Sequence, residues 1–145
     1  MSEIQRTPPR VLVVEDEAIT RELLVQMLRT GGFEVLSAET GERAFRMVRA
    51  WRGRLDLLFT ETRLPGLVDG WILGDEFRRS HPQRPIIYAA EGETGHSQQT
   101  TGAALVRKPV FVLDVLALVK RLTEAALQPA STTNLVERTS SAIAC

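Results

Sequence analysis

Glu61 stands where a reactive carboxylate is expected. It closes the run Leu55-Asp56-Leu57-Leu58-Phe59-Thr60, and the chain then breaks at Leu64-Pro65-Gly66. A near-continuous apolar run of this length marks a strand buried on both faces, and Pro-Gly marks a turn. Two other apolar runs also end in charge: Arg10 to Val14 runs into Glu15-Asp16-Glu17, and Ala103 to Arg107 runs into Lys108-Pro109. Carboxylates gathered in one place repel each other unless a cation or a basic group neutralises them. An all-oxygen donor set suits Mg²⁺, and lysine is a point charge suited to phosphate. Brought together, these groups would form a phosphoryl site. The carboxylate attacks, the metal shields charge and the ammonium stabilises the product.

The intervening sequence supplies elements that would bring them together. After the first strand, Ile19, Leu23, Leu24, Met27 and Leu28 repeat with helical period up to Gly31-Gly32, a C-terminal signal. Phe33 to Ala38 reads as a second strand. Thr40 to Trp51 reads as a second helix with Ala44, Phe45, Val48 and Trp51 inward. The third strand is Leu55 to Thr60, followed by a helix that starts near Asp69-Gly70 and ends at His81-Pro82. Pro85 to Ala90 is a fourth strand and Ala103 to Arg107 a fifth. Between them Glu91 to Gly102 is rich in Gly, Thr and Gln, so the helix expected there by topology is weak or shortened. A last helix spans about Val110 to Leu127.

Strands alternating with helices predict an α/β fold with a parallel sheet and helices on both faces. Five strands fit the doubly wound, flavodoxin-like order 2-1-3-4-5. In that order the first and third strands are neighbours at the point where the winding reverses. Glu15, Asp16 and Glu61 then share one crevice. The expected organisation is a flexible lead over 1–9, one domain over 10–127 and a disordered Ser/Thr/Ala-rich tail over 128–145.

Composition narrows the setting. Eighteen basic residues balance eighteen acidic ones, so no global field points to nucleic acid. With 43% hydrophobic and 25% charged residues, the chain is ordinary for a globular domain. No apolar run is long enough for a membrane span and no signal peptide is visible, so a cytoplasmic location is expected. The single cysteine, Cys145, has no partner for an internal disulfide.

At these residues the chain resembles the receiver domain of two-component response regulators. The motifs are Val-Val-Glu-Asp-Glu at 13 to 17, Asp-Leu-Leu-Phe-Thr-Glu-Thr-Arg-Leu-Pro-Gly at 56 to 66, Asp69-Gly70-Trp71, Pro85-Ile86-Ile87-Tyr88 and Lys108-Pro109, in family order over roughly residues 9 to 127. The resemblance implies Mg²⁺ held at Glu15, Asp16 and the Glu61 position, the backbone carbonyl of Arg63 as a further ligand, and a cis peptide before Pro109. It also exposes three departures. The family's phosphoacceptor is Asp, whereas Glu61 carries one more methylene, about 1.5 Å of reach. Misplacement near an ångström can cost about 10²-fold in an in-line attack. The switch hydroxyl position is Ala90, and the switch aromatic position is Leu105.

The expectation is a stand-alone, atypical receiver that is not an enzyme and does not depend on phosphorylation. It signals by contact with a histidine kinase or another signalling protein, and it carries no DNA-binding output segment. Glu61 is read either as a permanently negative stand-in acting through Lys108 or as an inert carboxylate in a docking domain. The alternative is a Mg²⁺-dependent phosphoacceptor still served by a histidine kinase. A nucleotide- or flavin-binding module of the same topology fits poorly, because the acidic Glu15-Asp16-Glu17 replaces a Gly-rich phosphate loop. Glu17 reads as a first-turn helix acid, His81 as a surface residue, and His96 as part of a polar loop. Trp51 and Trp71 read as packing residues. The last helix has more apolar residues than one inner stripe requires, so Leu113, Leu116 and Val119 are expected to form a partner or homodimer surface.

Overall fold

A computed structural model of the protein describes residues 7–91 and 103–126. The elements run β1 (Arg10–Val14), α1 (Ala18–Thr30), β2 (Glu34–Ala38), α2 (Gly41–Ala50), β3 (Leu57–Glu61), α3 (Gly70–Ser80), β4 (Ile86–Ala90), β5 (Ala103–Arg107) and α4 (Val112–Ala126). All strand pairings are parallel, in the order β2-β1-β3-β4-β5. This is the order expected from the alternation of strands and helices. The weak helix expected before β5, His96 and the tail lie outside the described residues.

Two apolar layers hold the sheet. Val11, Val13, Leu57, Phe59 and Ile87 point to the face covered by α1 and α4, where they meet Leu24, Leu28, Val115 and Val119. Leu12, Val14, Leu58, Ile86 and Tyr88 point to the other face, under Ala44, Val48, Leu73 and Phe77 of α2 and α3. The period of two in the strands and 3.6 in the helices produces this division. Because β3 and β4 are covered on both sides, each is buried over its full length.

Several expected faces differ. In α1 the inner positions are Leu24, Val25 and Leu28, while Ile19 and Leu23 face solvent. An inner stripe through Leu24 and Leu28 must extend by steps of three or four, and Val25 fits that stripe better than Leu23. In α4, Val115, Val119 and Thr123 form the buried stripe, and Leu116 packs beside it against the α1–β2 turn at Gly31. Val119 is therefore core, not contact surface. The exposed apolar residues of this region are Leu105, Phe111 and Leu113.

His81 is also not on the surface. Its ring stacks on Phe77, with centroids 4.6 Å apart and planes 7° apart. Nε2 lies 3.2 Å from the carbonyl oxygen of Trp51, and Nδ1 lies 2.8 Å from Oγ of Ser80. A carbonyl only accepts, so Nε2 carries the proton and Nδ1 accepts from the Ser80 hydroxyl. Burial holds His81 below the usual histidine pKa, partly offset by the bond to Trp51. Trp51 packs as expected and also lies between the guanidinium groups of Arg10 and Arg54, 4.5 and 4.7 Å from its ring. Trp71 packs on Tyr88, with centroids 4.4 Å apart. Among the described residues no helix is long and apolar enough to cross a membrane.

Candidate functional site

The site lies at the carboxyl ends of the strands, and register explains its membership. Val14 pairs with Thr60, so the next residues, Glu15 and Glu61, are neighbours. Glu61 pairs with Ala89 on its other side, and Ala90 pairs with Arg107. The backbone then continues the ladder: Glu15 N–H donates to Ala38 O, Thr62 N–H to Ala89 O and Lys108 N–H to Ala90 O. Glu15, Glu61, Ala90 and Lys108 therefore occupy one end of four adjacent strands. The Lys108–Pro109 peptide is cis, as the resemblance implies.

Helix α3 starts against the end of β3. Asp69 caps it, with Oδ1 accepting from the Ile72 N–H at 2.9 Å. A Cβ on Gly70 would lie 2.0 Å from the carbonyl oxygen of Glu61, so only glycine lets α3 start against β3. Gly66 has φ +92°, the left-handed region that glycine adopts freely. The turn it makes is tied down by the Leu67 N–H, which donates to Glu42 at 2.7 Å. That bond holds the Glu42 carboxyl below its usual range.

Lys108 Nζ lies 2.9 Å from Oε2 of Glu61 and 3.8 Å from Oε2 of Glu91. The Glu61 contact is an ion pair whose direction falls outside hydrogen-bond geometry, since Oε2 is buried without an aligned donor. Burial alone would lower the Lys108 pKa, but Glu61, Glu15 and Glu91 together raise it above the ordinary lysine value. Glu15 is 2% exposed, and its Oε2 accepts from the Glu17 N–H at 3.0 Å. Burial first, then a hydrogen bond with the Glu61 carboxyl, pushes its pKa up to about 8. The Glu15 carboxyl is thus harder to ionise than an ordinary glutamate. Glu17 stands at the N-cap position of α1 and not inside its first turn. It caps nothing with its side chain and instead accepts from the Thr20 hydroxyl at 2.5 Å.

One oxygen each from Glu15, Asp16 and Glu61 lie within 4.8 Å of one another. Two ligands across a Mg²⁺ ion are about 4.2 Å apart, twice the usual Mg–O distance. The donor set fits a hard divalent cation after a small closure. Around them Thr62, Arg63, Ala89 and Glu91 complete the wall of a crevice of about 270 Å³. Glu91 is the member that sequence reading passed over. It follows Ala90 directly, but it sits at the head of a Gly/Thr-rich segment and reads as loop. Ala90 is buried and offers no hydroxyl, and Leu105 on β5 is 57% exposed. Of the three residues expected at an interface, only Leu113 is fully presented to solvent.

The family model for the response regulator receiver domain matches residues 11–110. The chain belongs to this family. A response regulator receiver protein of Anaeromyxobacter is 34% identical over 113 residues, which are 75% of this chain and 46% of that protein. The autoinducer 1 sensor kinase/phosphatase LuxN of Vibrio harveyi is 29% identical over 96 residues, 66% of this receiver and 11% of its own length. The receiver thus spans less than half the length of these curated relatives. Among solved structures, a response regulator receiver protein from Sinorhizobium medicae superposes with a TM-score of 0.75 at 24% identity, covering 82% of this chain and 97% of that one. Response regulator TrrA of Thermotoga maritima, solved in complex with Mg²⁺-BeF, is 30% identical with a TM-score of 0.67, covering 79% and 98%.

Proposed function

We propose that this receiver transmits its signal by protein contact, in a cytoplasmic two-component pathway, without a phosphorylation cycle at Glu61. The observation that carries this reading is the state of the Glu61 carboxyl. It is buried, at 4% exposure, and paired with Lys108 at 2.9 Å. An ammonium at ion-pair distance lowers the reactivity of a carboxylate nucleophile, and burial restricts an in-line approach to it. The Glu61–Lys108 pair instead provides a standing negative charge beside the lysine, one charge where a phosphoryl group adds about two. Ala90 has no hydroxyl with which to follow a phosphoryl group, which agrees with the same reading.

Glu15, Asp16 and Glu61 are the residues proposed to hold Mg²⁺, which would supply charge neutralisation in the crevice. The partner is a histidine kinase or another signalling protein. Its contact surface is proposed at Leu105, Phe111 and Leu113, around the end of β5 and the start of α4, which are 57 to 66% exposed. A homodimer through the same residues is the second candidate for that surface.

The three-carboxylate cluster also suits a Mg²⁺-dependent phosphoacceptor, and one experiment separates the two. The protein is incubated with acetyl phosphate and Mg²⁺, and its intact mass is then measured. The expected result is no phosphate adduct, with Glu61→Asp as the comparison variant. A stoichiometric adduct on wild-type Glu61 overturns the contact reading and establishes the phosphoacceptor.

A further inference from the structure

A second concave site lies at the opposite end of α2 and α3. It is a half-open cleft of about 510 Å³ lined by Arg49, Arg52, Glu76, Arg79 and Ser80, within the size range of small-molecule pockets. Its charge is concentrated against the balance of the whole chain. Residues 41–54 hold five arginines (43, 46, 49, 52 and 54) and one acid, Glu42, a local balance of +4 in a chain of net zero.

Arginines at helix ends have an ordinary explanation, because the C-terminus of a helix carries about half a negative charge. Arg49 closes α2, and Arg78 and Arg79 close α3. The magnitudes do not balance, however. Two helix ends contribute about one negative charge together, and Glu76 contributes one more. Arg49, Arg52 and Arg79 bring three positive charges to the lining alone. Glu76 is already taken by Arg79, with Nε to Oε1 at 3.5 Å. Among the described residues neither Arg49 nor Arg52 makes an ion pair, and Arg49 rests over the Phe45 ring at 5.9 Å.

The two helix ends beside the cleft are tied together. The residues that follow the two helices, Trp51 and His81, are joined by the bond from His81 Nε2–H to the Trp51 carbonyl. The His81 ring stacks on Phe77, and the Ser80 hydroxyl proton is taken by His81 Nδ1 at 2.8 Å, with the Glu76 carbonyl a second, longer acceptor at 3.4 Å. Ser80 therefore faces any ligand as an acceptor, and the donors of the site are guanidinium groups. Planar forks of N–H donors match the oxygens of phosphate. A concave, pinned site of this size favours a compact anion over a flat acidic protein surface.

We infer that the α2–α3 cleft is a binding site for a small phosphate-bearing compound, held by Arg49, Arg52 and Arg79. It is independent of the crevice at Glu61 and of the reading given to it.

Isothermal titration of the full chain with sodium pyrophosphate tests this, in EDTA so that no metal bridges the anion to the carboxylates. The expected result is a 1:1 complex with Kd below about 1 mM at low salt, weakened at least tenfold in Arg49→Gln/Arg79→Gln and unchanged in Lys120→Gln, exposed on α4 across the sheet. Ser80→Asp, which places a carboxylate among the guanidinium groups, is expected to weaken binding equally and decides the matter if the double variant does not fold. A Kd above about 1 mM, a loss under tenfold in the folded arginine or Ser80 variant, or an equal loss in Lys120→Gln overturns the inference. Binding of polyglutamate that pyrophosphate does not displace also overturns it, in favour of an acidic protein partner.

Discussion

Removing the Lys108 charge provides the sharpest test of the crevice. The pair is 2.9 Å apart, with side chains 5% and 28% exposed. At an effective dielectric of about 20, two charges at that distance attract by about 6 kcal/mol. Desolvation of both partners offsets part of this, and breaking a buried pair typically costs about 3–5 kcal/mol. A second limit comes from protons. An ordinary glutamic acid can be neutralised at pH 7 for roughly 3.7 kcal/mol, so an unpaired carboxylate cannot cost more than that. Lys108→Met is therefore expected to lose about 3 kcal/mol, near 10 °C in Tm for a domain of this size. Glu61→Gln leaves a partly exposed ammonium that can turn to Glu91 and water, so its loss is about 1 kcal/mol. In the double variant no buried charge is stranded, and at least 2 kcal/mol of the lysine loss is recovered. Urea unfolding of the four proteins at pH 7 and low salt measures the cycle. A loss below 1 kcal/mol in Lys108→Met, or no recovery in the double variant, refutes the argument that this ion pair governs the crevice.

Three further outcomes follow from the geometry. Gly70→Ala places a Cβ 2.0 Å from the Glu61 carbonyl oxygen, and because backbone must yield, a loss of about 3 kcal/mol or more is expected in chemical denaturation. Mg²⁺ at tenfold its Kd stabilises the fold by about 1.4 kcal/mol, a rise of roughly 4 °C in a melt, and Glu15→Gln/Asp16→Asn abolishes the rise. His81 has a depressed pKa in the fold, so the unfolded chain binds its proton first as pH falls. Its contribution to stability is present above about pH 6.5 and is lost as pH falls through the folded value. Urea midpoints between pH 7 and pH 5 are expected to fall more steeply for wild type than for His81→Asn.

Strand identity and order were legible because the apolar runs are short, dense and punctuated by turns. The site was legible for the same reason: Glu15, Glu61 and Lys108 each end a run, and parallel register brings run ends together. Side chains that pack laterally were harder to place. His81 sits beside Pro82 at a helix end and reads as surface, yet Phe77, one helical turn earlier, offers a ring to stack on. Val119 carries no mark that separates it from Leu113, since every third or fourth residue of α4 is apolar and the stripe has several possible phases. Only contact with α1 selects the phase through Val115 and Val119. The raised pKa of Glu15 depends first on burial, which residue type alone does not reveal.

The packing of Gly70 against the backbone of Glu61 implies an asymmetry in what this domain can tolerate. The Glu61 side chain is buried, but it ends against a flexible side chain, Lys108 at 2.9 Å, which can give when its length changes. The glycine beside it has no such latitude, because its neighbour is main chain at 2.0 Å. The fold thus constrains the glycine that starts α3 more tightly than the carboxylate beside it.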